Sequence, residues 1–190
     1  MPRLIGARVM LREYRADDFA AMRRWVNDPE IVNQLSDIFL YPHTESSTES
    51  FIQGQIEGGP DHKGFVIADI STEAYIGQID LFRIDWKNRK AELGIVIGAK
   101  ELQGKGYGSE ALQLLQDFVF NRLNLNRLQL EVYDYNEQAY ACYRKVGFKE
   151  DGRLRQAYFT EGRYCDIIVM SLLREEYTDR QQLERTDAEQ

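Results

Sequence analysis

Residues 103–108 read QGKGYG and place three glycines within five positions. This segment follows the apolar run 93–97 and precedes an amphipathic stretch, 109–123, a pattern that indicates a strand, a turn and a helix. Glycines let the backbone adopt positive φ and approach a ligand closely, and the first amides of a helix have no partner within it. The arrangement is therefore typical of a turn that binds a diphosphate.

Spacing excludes two other glycine-rich phosphate turns. The dinucleotide fingerprint G-x-G-x-x-G would need a glycine where Ser109 stands, and the triphosphatase loop G-x-x-x-x-G-K-[ST] is absent. The pattern Q-x-x-G-x-G, which begins at Gln103, resembles the acetyl-coenzyme A loop of the GCN5-related N-acetyltransferases, the GNAT family.

A second motif lies one strand and one helix downstream. Residues 136–148 read N-x-x-A-x-x-x-Y-x-x-x-G-F, which is similar to the other signature of this family. The resemblance covers about residues 8–177, and it is tightest over residues 90–172, where the ribosomal-protein N-terminal and polyamine acetyltransferases are most similar. It implies the GNAT fold, which is α/β, with a mixed and mostly antiparallel central sheet flanked by helices. Splayed strands of that sheet would form the acetyl-coenzyme A cleft.

Hydrophobic periodicity predicts elements in a compatible order. We expect strands over residues 8–14, 64–70, 75–86, 90–98, 127–133, 148–159 and 163–172, and helices over residues 16–27, 30–35, 48–57, 109–123 and 137–146. An antiparallel meander thus leads into a strand–helix–strand unit and a closing hairpin. The exposed edge of that hairpin makes a homodimer plausible.

Composition and charge limit the class of protein to which the chain can belong. The chain has 190 residues, of which 43% are apolar, so we expect one acetyltransferase domain over residues 1–177 and a polar tail, either a frayed helix or disordered, over residues 178–190. Cys142 and Cys165 form no C-x-x-C pair, and neither a secretory signal nor a membrane-length apolar segment is present. These features predict a cytoplasmic protein without a membrane partner.

The net charge of −7 argues against a nucleic-acid partner and is compatible with a cationic substrate. His43 and His62 lie in polar loops without a partner at ligand spacing, so we expect no metal.

The resemblance implies that backbone groups do most of the cofactor binding. Main-chain groups of Val96, Ile97 and Gly98 would bind the pantetheine arm, and the amides that follow would bind the diphosphate. The other residues that the resemblance assigns to acetyl-coenzyme A are Gln103, Gly104, Lys105, Gly106, Tyr107, Gly108, Ser109, Asn136, Ala139 and Tyr143.

Two side chains are candidates for proton transfer. In the family the tyrosine at the position of Tyr143 faces the thioester sulfur, and a phenol with a pKa of about 10 can protonate a departing thiolate with a pKa of about 8.5. Glu92 precedes Gln103 by eleven positions, the offset at which histone-type members place their general base. The alternatives are a core tyrosine and a solvent-facing glutamate at a strand start.

The acceptor stays open between a small-molecule amine, such as a polyamine, and a protein N-terminus. Its pocket would lie around residues 27–51, where acids could bind a cation, with Asp80 on a neighbouring strand. Polyamine acetyltransferases carry an acid where Arg83 stands, and several ribosomal-protein acetyltransferases replace the tyrosine. A non-catalytic acyl-coenzyme A sensor on the same fold is the alternative function, although it would need neither Tyr143 nor Glu92.

Overall fold

A computed structural model describes residues 3–59 and 63–188, and its elements follow the predicted order. The strands are β1 (Leu4–Ile5), β2 (Val9–Arg12), β3 (Lys63–Asp69), β4 (Tyr75–Asp85), β5 (Lys90–Ile97), β6 (Arg127–Tyr133), β7 (Lys149–Thr160) and β8 (Arg163–Leu173). The helices are α1 (Phe19–Arg23), α2 (Pro29–Val32), α3 (Glu45–Glu57), α4 (Tyr107–Asp117), α5 (Glu137–Lys145) and α6 (Arg174–Ala188). No helix among the residues described has the length and apolar character that a membrane span requires.

The strands are hydrogen-bonded in the order β1-β2-β3-β4-β5-β6-β8-β7. β5 and β6 run parallel, whereas β6 and β8, and β7 and β8, are antiparallel, so the predicted mixed sheet is confirmed. The pairing of β5 with β6 covers residues 90–92 and 127–129, although both strands continue beyond it.

Contacts divide the chain into two compact units, residues 1–82 with 94–114 and residues 83–93 with 115–190. β4, β5 and α4 each contribute residues to both. In the first unit, the predicted apolar face of the first helical segment is buried in a cluster of Met22, Trp25, Val26, Ile31 and Ile52. In the second unit the buried residues include Leu115, Val119, Leu128, Leu130 and Phe148.

The first helical segment is shorter than predicted because a buried ion pair shapes its start. The Arg12 guanidinium donates to both oxygens of Asp18, at 2.7 and 3.0 Å, and both side chains are 3% exposed. The second carboxylate oxygen also accepts from the Arg15 amide. This bracing replaces the first helical turn with a 3₁₀ turn, Ala16–Asp18, ahead of α1.

Other helices also differ from their predicted bounds, among them α2, which ends at Val32 and not at residue 35. α3 begins three residues early because the Thr44 hydroxyl accepts from the Ser47 amide and caps it. α4 begins at Tyr107 and is followed by a π-helical turn, Phe118–Arg122. Of the two alternatives for the C-terminal stretch, the structure has a helix, α6.

Candidate active site

The predicted glycine turn lies in the first unit, between β5 and α4. Gly104 has a φ of +70° and Gly106 a φ of +87°, a backbone region that side chains other than glycine adopt at a cost. A Cβ on Gly106 would also lie 3.1 Å from Nη2 of Arg8. Both positions therefore require glycine for the turn to keep this shape.

The turn presents unused hydrogen-bond donors. Within residues 3–59 and 63–188, no acceptor is found for the amides of residues 104–106. Tyr107 and Gly108 open α4, so their amides also lack helical partners. The positive end of the helix dipole adds to the attraction of an anion. This donor set fits a diphosphate without further rearrangement.

Arg8, which directly precedes β2, braces the turn. Its Nη1 donates to the Lys105 carbonyl at 3.0 Å, and its guanidinium lies 4.9 Å from the centre of the Tyr107 ring. Its Nε donates to Glu110 at 3.0 Å. Burial opposes ionisation of Glu110, but hydrogen bonds from the amides of Arg8 and Val9 lower its pKa overall. Local sequence patterns gave no signal for Arg8, which lies about one hundred residues away.

The side chain of Gln103 closes the turn. Its amide nitrogen donates to the Ile97 carbonyl at 2.9 Å, across the 3₁₀ turn Lys100–Leu102. Gln103 therefore fixes the path of the chain between β5 and the glycines. This contact gives it a structural role beside the predicted cofactor contact.

The end of β5 offers fewer free backbone groups than predicted. The Gly98 amide already donates to Ile76 at 2.9 Å, and the Val96 carbonyl lies beside Gly77, both on β4. Groups of alternate strand residues face the same side, so Val96 and Gly98 face β4 and Ile97 faces away. A Cβ on Gly98 would lie 2.3 Å from the buried Trp25 ring, which explains the glycine.

Glu92 lies in the second unit, at the end of the β5–β6 pairing. Its side chain is 13% exposed and forms an ion pair with Nη1 of Arg83 at 3.1 Å. Gln129, its partner residue in β6, donates to the same carboxylate at 3.4 Å. The predicted base is thus neither freely solvated nor fully buried, and it already has a cationic partner.

Gln129 is itself held by a polar network of residues on β6, β7 and β8. Its carbonyl oxygen accepts from Nε of Arg127 at 3.2 Å, which turns its amide nitrogen towards Glu92. Arg127 also donates to Ser171 and Asp151, and Ser171 donates to Asp151 at 2.9 Å. The network therefore fixes the orientation of the amide that reaches Glu92.

Tyr143 lies on α5, also in the second unit. The Asn136 side chain caps this helix by accepting from the Ala139 amide at 3.1 Å, so both predicted residues take part in the cap. The Tyr143 ring is 9% exposed and contacts Phe148 edge-on at 6.1 Å. Burial, with a smaller contribution from Cys142, raises the pKa of Tyr143. Its phenol is therefore protonated at neutral pH.

The Tyr143 hydroxyl is left free. No hydrogen bond from it is found to any residue in 3–59 or 63–188, and it is not among the buried polar atoms that lack a partner in that part of the chain. A hydroxyl without a protein partner among the described residues, on a buried ring, suits a group that meets a ligand.

Several acids in the predicted acceptor region are already engaged. The Lys100 ammonium contacts Asp28 at 2.7 Å and Glu30 at 2.6 Å. Asp85 binds the amide and the side chain of Asn88 and so stabilises the β4–β5 turn. These contacts lower the pKa of Asp28 and of Asp85, chiefly through Lys100 and the Asn88 amide respectively.

Asp80 has no cationic partner among the residues described. Tyr14 donates to one of its oxygens at 2.7 Å and Gln78 to the other at 3.0 Å. A Cβ on Gly64 would lie 1.8 Å from Asp80, so glycine makes room for the carboxylate. Burial outweighs the two hydrogen bonds and raises the pKa of Asp80 to about 6.

No group of three or more metal-ligating side chains is found within residues 3–59 and 63–188. His43 stacks on Phe39 at 4.8 Å, and its Nε2 forms a hydrogen bond with the Ile38 carbonyl. His62 lies outside the described residues.

Comparison with known proteins gives concordant matches. The family model "Acetyltransferase (GNAT) domain" matches residues 8–149. The chain is 33% identical to a spermidine N(1)-acetyltransferase of Escherichia coli over 83% of this chain and 76% of that protein. It is 30% identical to the uncharacterized N-acetyltransferase p20 of Bacillus licheniformis over 93% and 99%. The crystal structure of spermidine N-acetyltransferase from Vibrio cholerae, in complex with CoA and spermine, superposes with a TM-score of 0.78 at 28% identity, covering 90% of this chain and 98% of the other.

Proposed function

The chain belongs to the GNAT family of acetyltransferases, and on that premise we propose that it transfers the acetyl group of acetyl-coenzyme A directly to a primary amine. The acceptor is either a polyamine-like small molecule or a protein N-terminus. The reaction joins the amine nitrogen to the acetyl carbon and breaks the carbon–sulfur bond. Two protons must therefore be managed, one leaving the amine and one reaching the sulfur.

Backbone amides of the glycine turn supply the grip on the cosubstrate in this proposal. Acetyl-coenzyme A, when bound, supplies an activated thioester. The amides of residues 104–108 donate to its diphosphate, and Lys105 and Ser109 border that contact. Ile97 is the residue at the end of β5 whose backbone faces away from β4, so its amide is the proposed donor to the pantetheine arm. Asn136 and Ala139, which form the cap of α5, are also proposed to contact acetyl-coenzyme A. Val96 and Gly98 shape that edge through their fixed backbone.

Glu92 is the proposed acceptor of the proton from the amine, directly or through a water molecule. An alkylamine with a pKa of about 10.4 loses roughly 4–5 kcal/mol to deprotonation at pH 7, whereas an α-amino group loses about 1–2 kcal/mol. Gln129 positions Glu92, since its amide donates to the carboxylate. A base matters most for an alkylamine acceptor.

Tyr143 is the proposed proton donor to the leaving sulfur. Burial keeps the phenol protonated at neutral pH, and its hydroxyl has no competing partner among the residues described. If Tyr143 served only to pack the core, its hydroxyl would add no stabilising contact, and phenylalanine would serve equally well. This free hydroxyl is the observation that carries the assignment of catalysis rather than binding alone.

Thiol release measures the proposed activity directly. Purified protein is incubated with acetyl-coenzyme A and one of a panel of polyamines, amino acids, aminoglycosides and peptides, and free thiol is followed with time. Release that depends on an amine, together with the acetylated product by mass spectrometry, would support acetyl transfer. Binding of acetyl-coenzyme A without amine-dependent release across the panel would contradict it.

We also propose that residues 1–177 act as one acetyltransferase domain, that the protein works in the cytoplasm, and that two copies associate. Cys142 and Cys165 form no disulfide, which suits a reducing compartment. β7 is last in the strand order and carries the exposed Leu154 and Phe159, so its edge is a candidate for pairing. Sedimentation velocity would measure the association.

A further inference from the structure

Arg83 and Glu92 form an unequal ion pair. The guanidinium nitrogen Nη1 lies 3.1 Å from one carboxylate oxygen and 3.4 Å from the other. The Arg83 side chain is 77% exposed, whereas that of Glu92 is 13% exposed. The carboxylate is also held by Gln129, which Arg127 orients in turn. Glu92 is therefore fixed, and Arg83 is the partner that can move.

Backbone geometry supports a special role for Arg83. It lies within β4 yet has a φ of +48°, a conformation that residues other than glycine rarely adopt in a strand. Such outliers persist where the surrounding structure or the function requires them. Within residues 3–59 and 63–188, the polar contact found for its side chain is with Glu92. Exposed ion pairs of this kind are weak, so packing does not account for the conformation.

We infer that the acceptor is a primary amine that carries a carboxylate close to the amino group, and that Arg83 is the residue that selects it. This inference rests on the proposed function. When such an acceptor binds, the ion pair between Arg83 and Glu92 breaks, and each side chain forms a new ion pair with the group of opposite charge on the acceptor. The ammonium contacts Glu92, its proposed base, and the carboxylate contacts the guanidinium of Arg83.

Charge balance distinguishes this acceptor from a polyamine. An amine with a carboxylate replaces one ion pair by two and leaves no charge unpaired. A polycation brings only positive charge, so it would compete with Arg83 for a single carboxylate and place like charges side by side. Guanidinium also binds carboxylates through two parallel hydrogen bonds, which favours an anionic group over a neutral amide.

Two sources of this chemistry are possible, a free amino acid and a peptide whose N-terminal residue is acidic. Either presents an ammonium and a carboxylate a few bonds apart. The α-amino group of a peptide terminus has a pKa of about 7.7–8.0, so little help is needed to deprotonate it. In a free amino acid the neighbouring carboxylate stabilises the ammonium form, so a base matters more for that source. The experiment below separates the sources.

The test compares acceptors that differ in one charge. Initial rates of thiol release at saturating acetyl-coenzyme A give kcat and KM for two matched pairs and for spermidine. The peptide pair is Asp-Ala-Ala-Ala amide and Asn-Ala-Ala-Ala amide, and the small-molecule pair is free alanine and alaninol, which lacks the α-carboxylate. The proteins are the wild type, R83Q, R83E and the control R153Q. Arg153 is also exposed and pairs with one carboxylate, that of Glu150, so its variant removes an equivalent surface charge outside the proposed site.

We expect the wild type to prefer the aspartyl acceptor over the asparaginyl one by about tenfold in kcat/KM, mainly through KM. R83Q should abolish this preference, R83E should shift preference towards spermidine, and R153Q should match the wild type. Peptide and free amino acid arms identify the source. Two outcomes would overturn the inference and leave the proposed function standing. One is transfer with equal kcat/KM for both members of each pair, and the other is an unchanged preference in R83Q. No transfer to any amine would overturn both.

Discussion

Replacing Tyr143 with phenylalanine removes one oxygen and keeps the ring. The ring is 9% exposed and contacts Phe148 at 6.1 Å, and phenylalanine would keep that packing. The lost hydroxyl bonds to no residue within 3–59 and 63–188, so its removal leaves no protein group unsatisfied. We therefore expect the free energy of unfolding of Y143F to lie within about 0.5 kcal/mol of that of the wild type.

Turnover should respond very differently. A positioned general acid contributes about 10²–10⁴-fold to a rate, but a thiolate with a pKa of about 8.5 already leaves moderately well. We therefore expect a loss in kcat at the lower end, roughly 30–100-fold, which corresponds to about 2–3 kcal/mol of barrier. The affinity for acetyl-coenzyme A should stay unchanged, because the turn amides that are proposed to bind its diphosphate are untouched.

The assay measures thiol release at saturating acetyl-coenzyme A beside denaturant unfolding of the same samples. Y140F serves as the control, since Tyr140 lies one turn earlier on α5 and donates to Glu150 at 3.1 Å, outside the proposed chemistry. Its kcat should equal that of the wild type. Wild-type kcat in Y143F would refute the reasoning, as would a lost kcat that merely tracks lost stability.

Three further substitutions test the turn, a buried carboxylate and a close packing contact. G106V should abolish binding of acetyl-coenzyme A by isothermal titration calorimetry, because φ is +87° there; retained affinity would argue against the turn. The pKa of Asp80 is raised to about 6, so its carboxylate ionises less readily in the folded protein than in the unfolded chain. As pH rises from 4 to 7, the wild type should therefore lose roughly 2–3 kcal/mol of stability relative to D80N. Parallel pH curves would contradict this. G98A should cost about 1–3 kcal/mol because its Cβ would lie 2.3 Å from Trp25, whereas G152A, with no atom within 4 Å, should be nearly neutral; equal melting temperatures of the two would be evidence against the clash.

Most of the sheet and the identity of the glycine turn were predictable from the sequence, because both depend on local patterns. Strand β6, for example, begins and ends where the alternation of apolar residues predicts. The helix over residues 16–27 was overestimated, since a pair of charged groups six positions apart, Arg12 and Asp18, becomes buried and redirects the chain. Periodicity records apolar residues and carries no information on such a pair.

The residues that surround the predicted site residues were mostly beyond prediction. Arg8 reaches the turn across about one hundred positions, and Gln129 meets Glu92 only because β5 and β6 lie side by side and in parallel. The sequence pattern also could not predict which backbone groups at the end of β5 point towards β4 and which point away from it. That distinction depends on the partner strand, which fixes the Gly98 amide to Ile76.

The proposed diphosphate site depends on two distant parts of the chain, because Arg8 donates to the carbonyl of Lys105 in the glycine turn. A transplanted copy of residues 103–109 would carry the glycines without the guanidinium that buttresses them. During synthesis, Arg8 can form its contacts with the turn only after Glu110 has left the ribosome, because Glu110 is one of its partners. Searches for similar turns in other proteins would therefore gain from looking for a basic residue directly before an early strand as well as for the glycine spacing.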